Sequence, residues 1–194
     1  MSDHPAGYTY DDTELPRSSV TSERLAELHA SVLWTDDDAA ALRRAAEVLV
    51  PRTEEILDVW YGFVGSTPHL VATFAGPDGQ PDAHYLAGVR ARFGQWIADV
   101  CTRTHDAQWL AYQEEIARRH TVSKGRTDDV RTTSPHVPLA DLVALIAPIT
   151  LTIRPFIGAD GADAQELQAR YDAWFKAVTL TVALWSHPYS PELW

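Results

Sequence analysis

The chain predicts an all-α domain, on three observations. Apolar residues recur at three- and four-residue spacing in one segment after another, no stretch alternates convincingly with the period of a half-buried strand, and most connections are short. At 194 residues it suits one domain with an extra element at one end, long enough to bury a sizeable core.

Residues 1–20 are polar and show no sustained period. Read alone they form a disordered tail, although Tyr8 and Tyr10 would pack if the arm folded back over the body. Thr21 is a fair N-cap for a short helix carrying Leu25, Leu28 and Val32. Thr35 starts a second, where Asp36, Asp37 and Asp38 complement the helix dipole and Leu42, Ala45, Ala46 and Leu49 supply the buried face. Pro51 redirects the path, and from Arg52 to Val64 the residues Ile56, Trp60, Phe63 and Val64, with Leu57 and Tyr61 beside them, make an aromatic-rich amphipathic helix.

Thr67-Pro68 has the order of a new helical turn, and Gly76-Pro77-Asp78-Gly79 forces a loop. Asp82 to Cys101 reads as a long helix bearing Tyr85, Leu86, Val89, Phe93, Trp96, Ile97 and Val100. Asp106 to His120 follows, with Trp109, Tyr112, Ile116 and His120 along one face and Gln113, Glu114, Arg118 and Arg119 off it. The chain then turns polar, with Gly125 as the expected helix terminator. Pro138 opens a helix with Leu142, Leu145, Ile146, Ile149 and Ile153 on its face, an expected kink at Pro148, and an end by Pro155 to Gly161.

Asp163 with Glu166 resembles a capping box for a helix running to about Ser186. That helix has two apolar stripes: Leu167, Tyr171, Trp174, Val178, Val182 and Trp185, and then Ala173, Ala177, Leu180 and Leu184. Two stripes point to burial in the domain on one side and against a partner chain on the other; a central helix in a monomer gives the same pattern. The helix lengths are too uneven for a regular four-helix bundle, which favours a globin-like packing.

A net charge of −11 disfavours nucleic acid and anionic membrane surfaces as partners. Cys101 is the lone cysteine, so no intramolecular disulfide or CxxC site forms, and a reducing cytoplasm fits best. The N-terminus lacks the basic start and apolar run of a secretory signal, and no uninterrupted apolar segment is expected to span a bilayer. There is no HExxH, Gly-rich phosphate loop, GxSxG or di-iron ExxH pair, and no local sign of a nucleophilic triad, which leaves hydrolase and nucleotide-enzyme readings unsupported.

Among the histidines, His4, His29, His69, His84, His105 and His136 read as surface or capping residues, and His187 sits in a turn. His120 alone closes an apolar face. Its imidazole either satisfies itself locally near a helix C-terminus or gives a nitrogen to a guest in the core, haem iron being the commonest large one.

Four stretches carry a specific resemblance: EEILDVWYGFVGSTPHL at 54–70, YLAGVRARFGQWIADVCTR at 85–103, WLAYQEEIARRH at 109–120 and AWFKAVTLTVALWSHPY at 173–189. With GYTY at 7–10 and the order VPL, IAPIT, RPF between 137 and 156, the chain resembles the protoglobins, single-domain globins related to the globin-coupled sensors. The resemblance spans nearly the whole chain. It implies a globin-like helical sandwich over 21–194 with an extra N-terminal helix, and an N-terminal arm (1–20) folded over the haem edge, with Tyr8 and Tyr10 as cover.

It further implies haem b, iron protoporphyrin IX, with His120 as proximal ligand through Nε2 and Nδ1 left to a local acceptor. Trp60, Tyr61 and Phe93 would cover the opposite face, where the Tyr61 hydroxyl donates to O₂, an interaction of roughly 1–3 kcal/mol in a dry pocket, and Trp60 acts as a wall. Arg92 is the candidate partner of the haem propionates, with a solvated intrahelical pair as its other reading, and Leu145 and Ile149 add to the cofactor wall. The implied function is binding of O₂, CO or NO in a cytoplasmic homodimer built through the last two long helices, with redox chemistry of nitric oxide or reactive nitrogen species at the iron. The second reading is a gas-responsive regulatory module that signals to a separate partner; dedicated catalysis is not implied, only promiscuous haem-iron redox or group transfer. Two departures stand out. Leu145 and Ala147 replace family aromatics, which is expected to loosen a pocket or tunnel wall, and His120-Thr121 replaces paired histidines, which leaves one candidate ligand.

Overall fold

The computed structural model describes residues 4–10 and 12–194; residues 1–3 and 11 of the expected arm lie outside the described residues. Its helices are α1 (Ser22–Ser31), α2 (Asp36–Leu49), α3 (Thr53–Gly65), α4 (Pro68–Val71), α5 (Ala83–Thr102), α6 (Ala107–His120), α7 (Leu139–Ile157) and α8 (Ala164–Trp185), joined partly by short 3₁₀ turns. No strand forms among the described residues beyond a single bridge between Ala75 and Pro81. The architecture is all-α and globin-like.

The starts follow local chemistry. Thr21, Asp82, Asp106 and Asp163 each accept a hydrogen bond from the backbone N–H three residues on, filling an orphan donor of the first turn. Thr35 gives its N–H to Asp38 at 2.7 Å, and Lys176 of α8 reaches that carboxylate at 2.8 Å, which ties the start of α2 to the middle of α8. The capping box expected at Asp163 closes only halfway. Glu166 turns its carboxylate to Arg44 and Arg170 instead, because two guanidinium groups outbid one backbone N–H. α6 stops at His120, where its apolar stripe ends, but Gly125 is not its terminator: it stands beyond, at the head of the turn Arg126–Asp128.

α7 continues past Pro148 and ends at Ile157, within the expected stretch from Pro155 to Gly161. Each proline removes one backbone bond, and packing of α7 along α8 outweighs that loss. Among the described residues α7 is also long and apolar enough to cross a membrane by length and composition, contrary to the expectation that no segment is: 19 residues with a mean hydropathy of 1.6. In the fold its inner face rests on α8, α3 and α2.

α8 occupies the centre, against α2, α5, α6 and α7. Trp174 and Val178 of its first stripe join Leu42, Leu49, Leu57, Trp96, Ile97, Ile153 and Ile157 in the main core. The second stripe is used up in the same chain: Ala173 and Ala177 pack in that core, while Leu180 and Leu184 join Leu25, Leu28, Trp109 and Leu110 in a second cluster. The double stripe is therefore a central helix, and it gives no argument for a partner chain.

Two histidines read as surface or capping residues are partly buried against each other. His29 of α1 and His105 at the α5–α6 corner approach to 2.9 Å between ring nitrogens, with His105 stacked on Trp109 at 4.0 Å and beside Trp34. A bond of that kind needs a neutral acceptor. Burial, helped by the His29 ring and opposed by Asp106, takes His105 from 6.5 down to about 4, and burial lowers His29 as well. The unfolded chain gains its proton as pH falls through 6.5 and the folded chain only near 4, so the contribution is complete above the first value and lost toward the second. Thermal unfolding between pH 7 and 4 should show Tm falling less steeply in His105→Gln than in the parent; parallel profiles would place the acid sensitivity elsewhere.

Candidate functional site

α3 and α5 cross closely because α5 carries no side chain at the crossing. A Cβ on Gly94 would stand 3.0 Å from Thr53 and 3.2 Å from Leu57. Beyond this point the helices carry their aromatic rings toward one another: Trp60 lies 5.6 Å from both Phe63 and Phe93, and Phe93 stacks on Trp96 at 5.3 Å. Together with the α6 stripe, α7 and α8 they wall a large, mainly apolar cavity, with about 1420 Å³ of atom-free space including its mouth.

His120 lies on that wall. Its backbone carbonyl accepts from the Val137 N–H at 2.8 Å, and its ring packs 4.7 Å from Trp185, whose indole N–H is held by the buried Gln113 at 2.9 Å. Nδ1 is sealed without a hydrogen bond of good geometry, although the Ile116 carbonyl one turn back favours its proton. No hydrogen bond to Nε2 is found among the described residues, and the residue borders the cavity. Burial lowers the imidazole from 6.5 to about 4, with Lys124 and Arg119 adding to the effect, so the ring is neutral and keeps a lone pair.

The other expected site residues, Trp60, Tyr61, Phe93, Arg92, Leu145 and Ile149, line the same cavity. Burial raises the Tyr61 phenol, so it stays a donor. Arg92 makes no intrahelical pair; it grips Asp128 at 2.6 Å and also donates to the Ala6 carbonyl at 3.0 Å. Ala147 does not reach the cavity. It is exposed on the outer side of α7 with Val143 and Leu151, two residues of helical rotation having turned it away from Leu145.

Several lining residues were not singled out for the site in the sequence. Tyr112, Ile116, Trp96 and Trp185 were visible as stripe residues, but nothing in periodicity separates a cavity wall from a packed core. Tyr85 was likewise a stripe residue, whereas Arg119 and Lys124 join the wall through tertiary contacts, and Lys124 sits in a polar loop with no pattern to flag it.

The described part of the arm lies across the edge of this site. Tyr8 and Tyr10 each meet Tyr112 edge-on at 5.4 Å, and the Tyr8 hydroxyl donates to Asp99 at 3.0 Å. Arg119 donates to the Gly7 carbonyl at 2.7 Å. Gly7 has a φ of +76°, and a Cβ there would come within 2.3 Å of Thr127, so only glycine fits.

Among the described residues no group of three or more His, Cys, Asp or Glu side chains is placed to hold a bare ion. A metal taken by His120 therefore arrives already chelated, and an apolar cavity with one neutral imidazole fits a porphyrin-bound iron. Helices packed in this order around such a cavity define a globin. A sequence model of the protoglobin family matches residues 21–194, and the chain belongs to that family, whose globin-type members bind haem and diatomic gases. No curated protein sequence matches the chain.

Gly7→Ala should free the arm. Trypsin cleavage after the exposed Arg17 is expected to quicken about fivefold or more while the unfolding temperature of the helical body changes little; an unchanged cleavage rate would show that Gly7 does not hold the arm.

Proposed function

We propose that the cavity holds haem b, iron protoporphyrin IX, that His120 Nε2 is the protein ligand of the iron, and that the protein binds O₂, CO or NO reversibly. The observation that carries this reading is a buried, neutral imidazole on the wall of an apolar cavity. Bound haem supplies an open coordination position for a diatomic gas and one-electron redox chemistry, including that of nitric oxide and reactive nitrogen species.

The chain's residues do the rest. Trp185, fixed by Gln113, holds the imidazole plane, and the Val137 contact holds its backbone. Trp60, Phe93, Leu145 and Ile149 exclude water from the guest, and the Tyr61 hydroxyl offers a proton-donating contact to a small polar ligand in the same space. Arg92 and Arg119 close the edge by gripping the arm. Cys101, buried with its thiol pushed up to about 12, suits the reducing cytoplasm in which we place the protein.

Reconstitution with haem should give an intense Soret band that shifts with CO on reduction, and His120→Ala should lose or markedly alter it. A His120→Ala spectrum identical to the parent's would remove His120 from the iron.

We further infer a homodimer through α7 and α8. Support comes from the outer face of these helices, where Val143, Leu151 and Phe175 are about half exposed or more, at 53%, 65% and 48%. Sedimentation at micromolar concentration should show a dimer that Phe175→Glu with Leu151→Glu converts to a folded monomer; a monomeric parent would end this reading.

A further inference from the structure

The cavity wall carries three basic side chains of Arg and Lys, namely Arg92, Arg119 and Lys124. Two are already committed to acids. Arg92 donates to both oxygens of Asp128, at 2.9 and 2.6 Å, and to the Ala6 carbonyl. Arg119 gives Nε to Glu115 at 2.9 Å and its terminal nitrogens to the Gly7 carbonyl and the Thr9 hydroxyl.

Lys124 is different. It is 8% exposed and meets no carboxylate among the described residues. Its ammonium donates to the carbonyls of Thr73 at 2.6 Å and Ser134 at 3.3 Å and stands 5.5 Å from the Tyr85 ring centre. An ammonium has three donors, so one is left over, and the dipoles it meets do not balance a full charge. Burial accordingly draws its pKa from 10.5 down to about 8. A buried cation without a counter-ion is costly, and the fold keeps it on the wall of a cavity otherwise lined chiefly by apolar groups.

We propose that Lys124, and not Arg92, supplies the charge that recognises a carboxylate on the guest, so that the site selects a planar apolar molecule with an anionic edge. The inference rests on the haem reading and adds to it the residue that discriminates an acidic porphyrin from a neutral one. The carboxylate completes the third donor of the ammonium and neutralises it, while Arg92 and Arg119 keep the arm in place.

The test uses metal-free protoporphyrin IX, which carries two carboxylates, and its dimethyl ester, which carries none. Each is titrated into the apoprotein and followed by quenching of tryptophan fluorescence, so no iron ligand enters the measurement. The parent should bind the free acid about tenfold or more tightly than the ester, the worth of one charge-assisted hydrogen bond in a dry site. Lys124→Met should bring the ratio close to one, and Lys124→Arg should keep most of it. Because a ratio is read, a general loss of stability in Lys124→Met does not imitate the result, and the parent's own ratio needs no variant. Equal affinity of the parent for acid and ester overturns the proposal and leaves the haem reading standing, as does a ratio unchanged in Lys124→Met, which would hand the carboxylate to the arginines. A parent that takes up neither porphyrin nor haem overturns both.

Discussion

The two-sided burial of α8 is the constraint on which the rest of the molecule depends. A helix that buries Trp174 and Val178 on one side and Leu180 and Leu184 on the other must be surrounded before it is stable. α2, α5, α6 and α7 do this, and their positions follow from the contacts they make with it. The site inherits that rigidity, because the last turn of α8 delivers Trp185 to His120 while Gln113 of α6 fixes the indole. The imidazole is thus oriented by the same helix that organises the core, and its placement does not depend on a loop.

Polar accounting at the edge of the cavity explains why the arm lies where it does. The arm brings backbone carbonyls at Ala6 and Gly7, and these accept from guanidinium N–H groups left over by the pairs with Asp128 and Glu115, Arg92 Nη1 donating to both Asp128 and Ala6. Charge stays inside each Arg–acid pair while the neutral carbonyls complete the donors, which avoids an uncompensated ion beneath the arm. Lys124 breaks this rule, and its exception stands out because its neighbours obey it.

Most of the fold was legible in the sequence because its signals are local. Thr21 and Asp163 marked the starts of α1 and α8 as capping residues, and three-to-four spacing marked the buried faces of the helices. His120 was legible as a histidine closing an apolar stripe, and family resemblance gathered Trp60, Tyr61 and Phe93 around it. What stayed hidden depends on partners distant in sequence. Glu166 left its cap for Arg44, 122 positions away, and His29 found His105 at a separation of 76; neither choice is encoded within a helical turn. The second stripe of α8 was ambiguous for the same reason, since periodicity reports that a face is apolar but not which surface covers it.

The exchanges at Leu145 and Ala147 illustrate how α7 divides its work. Leu145 points to the cavity, so a smaller side chain there changes the space next to the guest. Ala147 is exposed on the opposite side, in a row with Val143 and Leu151, where a small residue flattens an apolar surface instead of opening a wall. Residues two apart on a helix are turned about 200° from each other, so one segment reaches both environments within a single turn. A loosened wall therefore requires only the exchange at Leu145, while the exchange at Ala147 acts on the exposed outer face of α7.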